Sequence, residues 1–266
     1  MSTAGDTTTQ VIDLGPVQVA YTESGSGEPL ILIHGGESDR NAFRVLFPHL
    51  GDGIRAIAYD QRDSGETVNP DEPYVVADMA QDLASFIAVL GLEKAHILGV
   101  SFGGAVAIHT ALRHPERVAS VTLVATLPRA AGAIDRASEV GELSPEKRRA
   151  AMFDLLFTPE GMRSNPDLAG FGTRALTERP RELMARRIAA VRDHDVIDQL
   201  PTVQVPALVI HGTDDPIAPF ALAELTAERI PGAVLRPIPG GRHGIATEYA
   251  AEVAAHVRQF IGLGPA

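Results

Sequence analysis

Short apolar runs, separated by glycine, proline and charged turns, set the rhythm of this 266-residue chain. Residues 30–33, 54–59, 95–98, 117–125 and 207–210 are mostly apolar stretches of strand length, the pattern of strands buried on both faces. Earlier, 9–14 and 17–22 alternate apolar and polar positions around Gly15-Pro16, which predicts a hairpin, and Gly25 to Pro29 reads as a turn. Between the runs the period changes. Val75, Met79, Leu83, Phe86, Ile87 and Leu90 recur close to helical spacing within 74–90, and Gly91 supplies the stop. Residues 105–112, 220–229 and 249–260 also read as helices, and 234–238 as a strand. This alternation predicts an α/β protein with a mostly parallel, doubly wound sheet covered on both faces.

From 128 to 203 the pattern shifts to charged helical segments, 145–157 and 181–191, broken by Pro159, Asn165-Pro166 and Pro180. This stretch carries twelve basic and twelve acidic residues, so the whole formal charge of −11 falls on the rest of the chain. That charge argues against nucleic acid and anionic membranes as partners. The chain has no cysteine, which excludes disulfides, thiolate metal sites and a cysteine nucleophile. Residues 1–10 are polar and threonine-rich, unlike a signal peptide, and no apolar run approaches the roughly 20 residues of a membrane span. A cytoplasmic location is the expectation.

The chemistry centres on Gly99-Val100-Ser101-Phe102-Gly103. A buried strand precedes it and a helix of small residues follows, the context in which G-x-S-x-G forms a nucleophile elbow. A tight reversal there holds Ser101 in a strained backbone above the carboxyl end of the sheet, with glycines where a Cβ would collide. It also aims the N–H of Phe102 and a helix N-terminus at an oxyanion forming beside the serine. At these residues the chain resembles the α/β-hydrolase family. Asp60-Gln61-Arg62-Asp63-Ser64-Gly65 adds to the likeness, with Asp63 where the family has a glycine, a spelling similar to the branch that contains aclacinomycin methylesterase. An Asp60–Arg62 ion pair bracing that loop is the expectation.

The resemblance implies an α/β-hydrolase core over 1–127 and 204–266, with 128–203 as a helical cap. Met152, Phe153, Leu156, Phe157, Phe171 and Met184 are then candidate pocket residues, while Arg186 and Arg187 are expected on a solvated helix face. His34-Gly35-Gly36 matches the loop that gives the second oxyanion donor, Gly36 by position with Gly35 as fallback, and His34 is expected to be structural. His211-Gly212-Thr213-Asp214-Asp215 resembles the acid loop, with Asp215 as the matching carboxylate and Asp214 as runner-up. His211 is expected to be a buried strand-end residue, and the strand ending at Ala125 offers no carboxylate. His194, between Asp193 and Asp195, marks a helix end or turn rather than a metal site. His243, in a glycine loop 28 residues beyond Asp215, can reach Ser101, whereas His96 starts its strand and His109, His114 and His256 lie on helices or at their ends. The order Ser101, Asp215, His243 is that of the fold.

These residues imply a serine hydrolase cleaving carboxylic esters or lactones of small, largely apolar molecules through an acyl-enzyme on Ser101, with no metal or organic cofactor. A C–C bond hydrolase, a cofactor-free perhydrolase, or a slow-turnover small-molecule receptor would share the same residues. Self-association is left open.

Overall fold

The computed structural model describes residues 8–130, 143–165, 168 and 180–264. The strands are β1 (Gln10–Asp13), β2 (Gln18–Gly25), β3 (Gly27–Ile33), β4 (Gly53–Tyr59), β5 (Ala95–Val100), β6 (Val118–Val124), β7 (Ala207–Gly212) and β8 (Val234–Ile238). They form one sheet in the order β1-β2-β4-β3-β5-β6-β7-β8. The β1/β2 and β2/β4 pairs are antiparallel, and every pair from β4/β3 to β7/β8 is parallel. The turn expected at 25–29 narrows to Ser26, because Gly25 and Gly27 both take positive φ and the strands continue up to them.

The helices are α1 (Phe47–Leu50), α2 (Val76–Val89), α3 (Phe102–Arg113), α4 (Pro145–Leu156), α5 (Pro159–Ser164), α6 (Arg181–Val191), α7 (Phe220–Arg229), α8 (Ile245–Glu248) and α9 (Ala250–Phe260). Val75, read above as a helix position, precedes α2 and is exposed. The Asp78 carboxylate accepts its N–H at 2.8 Å and starts the helix one residue later.

Each central strand feeds two cores. On one face Ile31, Ile33, Ile57, Val121 and Val209 share a cluster with Leu83 and Phe86 of α2 and Val106 of α3. On the other, Leu30, Leu32, Ala58, Leu98 and Leu208 meet Leu50 of α1 and Val253 and Val257 of α9. Burying each such aliphatic side chain is worth about 1.5–3 kcal/mol, so the carboxyl edge of the sheet is a stiff platform. Among the described residues no helix is long and apolar enough to cross a membrane.

The chain leaves the sheet after β6 and returns at β7, and α4, α5 and α6 lie in this insertion. Its two ends are tied by Ala130 N–H to His194 O at 2.8 Å and Val196 N–H to Pro128 O at 2.9 Å. His194 sits in the turn after α6, buried against His109 of α3. Its Nε2 lies 3.1 Å from Leu127 O and can only donate there, so its Nδ1 accepts from His109 Nε2–H, also at 3.1 Å.

Candidate active site

Ser101 is the junction between β5 and α3, and its backbone (φ 52°, ψ −116°) lies where a side chain is strained. Sterics hold it there. A Cβ on Gly103 would sit 2.2 Å from Ile33 O, and one on Gly99 would sit 2.4 Å from Gly103 O. Only glycine at both positions lets helix and strand approach this closely. The reversal is also pinned through Ser101 itself, whose N–H donates to Val124 O at 2.9 Å and whose carbonyl accepts from Thr126 Oγ1 at 2.6 Å. Phe102 begins α3, so its N–H falls outside the helical hydrogen-bond ladder. The β3 loop passes over the elbow. A Cβ on Gly35 would lie 3.7 Å from that of Ser101, and one on Gly36 would lie 3.6 Å from that of Phe102.

The loops after β7 and β8 bring the other two side chains to this point. His243 Nε2 is 2.9 Å from Ser101 Oγ, and His243 Nδ1 is 2.8 Å from Asp215 Oδ2. The second carboxylate oxygen accepts the N–H groups of Ile217 and Ala218 at 2.9 and 2.8 Å. An ionised carboxylate forces the proton of neutral His243 onto Nδ1, which leaves the Nε2 lone pair facing the serine hydroxyl. Burial alone would push the Asp215 pKa up. The positive charge that His243 carries when protonated, and hydrogen bonds from His211, His243 and Ala218, outweigh it and hold Asp215 well below the usual carboxylate range. Asp214, the runner-up, is exposed and accepts from Thr213 Oγ1.

Two histidines support the site without entering it. His211 is fully buried, donates to Ala218 O at 2.8 Å, and lies 3.4 Å from Asp215 Oδ2. His34 takes the Gln61 N–H on Nε2 at 3.3 Å, so Nδ1 donates to Gly35 O at 2.8 Å.

The loop after β4 differs from the expectation. Asp60 and Arg62 do not pair, because residues two apart in this loop face different neighbours. Asp60 is fully buried on Arg40, whereas Arg62 grips Asp82 of α2 with Nε at 2.5 Å and Nη2 at 2.9 Å. Burial raises the Asp60 pKa, against the opposing hydrogen bonds of the Arg40 and Glu66 amides. Asp63 occupies its glycine-like position with φ 55°.

The arginines of α6 correct a second expectation. Arg186 reaches Asp63 with Nε at 2.6 Å and Nη2 at 2.7 Å and also pairs with Asp71. Arg187 is fully buried, donates to Arg62 O at 2.5 Å, and stacks its guanidinium 4.5 Å from the centroid of the Phe102 ring. Neither lies on a solvated face, since two carboxylates, the Arg62 carbonyl and an aromatic ring engage them. Of the candidate pocket residues, Phe157 is buried, Met152, Phe153, Leu156 and Met184 are half-buried, and Phe171 lies outside the described residues. The sequence reading missed the His211 brace and the stacking on Phe102. The first had a signal in its placement four residues before Asp215, but the second had none.

A family model described as alpha/beta hydrolase fold matches residues 28–249. A provisionally named carbamate hydrolase of Azorhizobium caulinodans is 29% identical over 236 residues, covering 86% of this chain and 89% of that protein. A 2-hydroxy-6-oxo-6-(2'-aminophenyl)hexa-2,4-dienoic acid hydrolase of Metapseudomonas resinovorans is 30% identical over 228 residues, covering 80% and 76%. Among solved structures, a thermophilic esterase from Thermogutta terrifontis superposes with a TM-score of 0.84 at 26% identity, covering 96% of this chain and 98% of that one.

Proposed function

Because the chain belongs to the alpha/beta hydrolase fold family, we propose that Ser101, His243 and Asp215 are the catalytic triad of a hydrolase acting on carboxylic esters or lactones of small, largely apolar molecules. The observation that carries this reading is the unbroken chain from Ser101 Oγ to His243 Nε2 (2.9 Å) and from His243 Nδ1 to Asp215 Oδ2 (2.8 Å). As the Ser101 oxygen attacks the carbonyl carbon, His243 Nε2 takes the hydroxyl proton, and the ionised Asp215 stabilises the imidazolium. The N–H groups of Phe102 and Gly36 hold the oxyanion, a contribution typically worth about 3 kcal/mol per donor. Collapse of the tetrahedral intermediate breaks the C–O bond, and His243 returns its proton to the leaving alkoxide. Water, deprotonated by the same imidazole, then releases the acid and frees Ser101. Residues 128–203 act as the cap, and the half-buried Met152, Phe153, Leu156 and Met184 support an apolar lining.

The relation to a hydrolase of a dienoic acid favours one second reading, C–C bond cleavage by the same residues. A panel of p-nitrophenyl acetate, butyrate and octanoate, γ-butyrolactones, and a dienoic ring-cleavage product separates the two. Ester or lactone turnover with a pre-steady-state burst, abolished by Ser101→Ala, is the expected result. Turnover of the dienoic acid alone would transfer the assignment to C–C cleavage. Tight binding without a burst, unchanged in Ser101→Ala, would make the protein a receptor.

A further inference from the structure

The loop that carries His243 is held from outside the core. Residues 154–158, at the end of α4 and just beyond it, run alongside residues 242–248 with contacts in matching order. Arg242 Nη1 donates to the Asp154 carbonyl and, at 2.8 Å, to its carboxylate. His243 N–H donates to Leu155 O at 3.3 Å and Gly244 N–H to Leu156 O at 2.8 Å. Glu248, at the end of α8, closes the seam. One carboxylate oxygen accepts the Thr158 N–H at 2.9 Å and the other accepts the Thr158 hydroxyl. Thr158 Oγ1 in turn accepts from Gly161 N–H at 2.9 Å and caps α5. Gly244 is what allows this approach, since a Cβ there would sit 2.6 Å from the ring of the buried Phe157 and 2.7 Å from Leu156 O.

On its other side the same loop is tied to the acid loop by Asp214 N–H to Gly241 O at 3.0 Å. The backbone of His243 is thus clamped between the β7 loop and the insertion, and the insertion supplies both carbonyls that fix residues 243 and 244. Both oxygens of Glu248 are spent on Thr158, two residues past Leu156. We propose that Glu248 is a positioning residue for His243, acting through Thr158 to keep the Leu155 and Leu156 carbonyls against the histidine loop. The imidazole is then aligned with Ser101 only while the insertion is docked. The proposal rests on His243 being the general base. A displacement of about 1 Å in a reacting group can cost up to a hundredfold in rate.

Phosphonylation of Ser101 by a fluorophosphonate, followed by intact mass, tests this without a choice of substrate. The plateau counts competent molecules, and the rate constant reports how well Ser101 is activated. Glu248→Ala should slow labelling by about tenfold or more, and Thr158→Val by a smaller factor, with the plateau unchanged. Thr158→Ser, which keeps both donors, should stay within about twofold of the unmodified protein. In a His243→Ala background, Glu248→Ala should have no further effect. If His243→Ala abolishes labelling while Glu248→Ala lowers only the plateau, Glu248 is structural and the proposal falls while the triad stands. If His243→Ala labels at the original rate, or the unmodified protein does not label, the reading of His243 as base fails and takes the proposal with it.

Discussion

Acid should loosen the stem of the insertion at a defined pair of imidazoles. Both rings are buried at His109 and His194, and the hydrogen bonds require His194 to be neutral, since its Nδ1 must accept, while burial opposes a charge on His109. A proton on His194 Nδ1 would face the N–H of His109, turning a donor–acceptor pair into two opposed donors. Burial, then His194, then Arg113 push the pKa of His109 down from 6.5 to about 4. Burial also lowers that of His194, against the Leu127 carbonyl and Asp195, which favour its charged form. With the folded pKa of His109 below its unfolded value, the unfolded chain binds more protons between the two. Stability therefore falls as pH drops through this window, and the contribution of His109 is fully lost below about 4. At one unit per 1.36 kcal/mol the whole shift is worth about 3 kcal/mol, and about 2.5 kcal/mol of it is already gone at pH 4.5. The depressed carboxyls of Asp63 and Asp215 lose their contribution only as pH falls below the ordinary aspartate value of 3.8. The raised carboxyl of Asp60 weighs equally on the unmodified protein and a His109 variant, so the difference between them at pH 4.5 reads His109. In His109→Gln an amide N–H can still reach His194 but does not titrate. Urea unfolding at pH 7 and pH 4.5, followed by circular dichroism, should show the variant losing about 2.5 kcal/mol less than the unmodified protein. Equal losses would mean that the pair does not sense pH.

Asp215→Asn should lower kcat on a p-nitrophenyl ester by about a thousandfold or more, because it leaves the imidazole in the wrong tautomer, whereas Asp214→Asn should change it by no more than about threefold. Comparable losses would place the acid elsewhere in the loop. A double-mutant cycle on Asp63→Asn and Arg186→Gln should give a coupling of about 1–3 kcal/mol in urea unfolding, since the pair is bidentate and mostly shielded from water. Asparagine tolerates the positive φ of residue 63, so a coupling near zero would show that the pair is ornamental. Gly103→Ala, whose methyl would lie 2.2 Å from Ile33 O, should destabilise by about 3 kcal/mol or more in the same assay. A stable, active Gly103→Ala would mean that the elbow is looser than this packing implies.

The strands and the elbow were legible because their signals are local. An aliphatic run such as Leu30 to Ile33 has to be buried on both faces, and a serine between glycines at a strand end leaves the backbone little choice. The Ser101–His243–Asp215 contacts could be anticipated because each side chain sits in a loop at the carboxyl end of a parallel strand, where topology brings such loops together. The arginines were misread because a charged helix with weak amphipathicity gives no sign of partners more than a hundred residues away. Asp60 and Arg62 were paired by adjacency, but loop geometry sends them to Arg40 and Asp82. Main-chain contacts leave no trace in side-chain identity at all, so the Leu155 and Leu156 carbonyls could be found only in space.

Those hidden contacts share one origin. Every side chain of the serine–histidine–aspartate chain comes from the core, yet three neighbouring features are gripped by the insertion. Leu155 O and Leu156 O hold the His243 loop, Arg187 covers the Phe102 ring, and Arg186 clasps Asp63 beside the β4 loop. These contacts reach three separate segments of the core, so lifting the insertion away from the core breaks them together. A lid that only screened the site would leave the core groups aligned when lifted. On the proposed reading of His243 as general base, lifting the insertion removes the hydrogen bonds from its backbone N–H and that of Gly244, so docking of the insertion and activation of Ser101 would form one event. Loss of rate without loss of fold in Glu248→Ala would be the mark of that coupling.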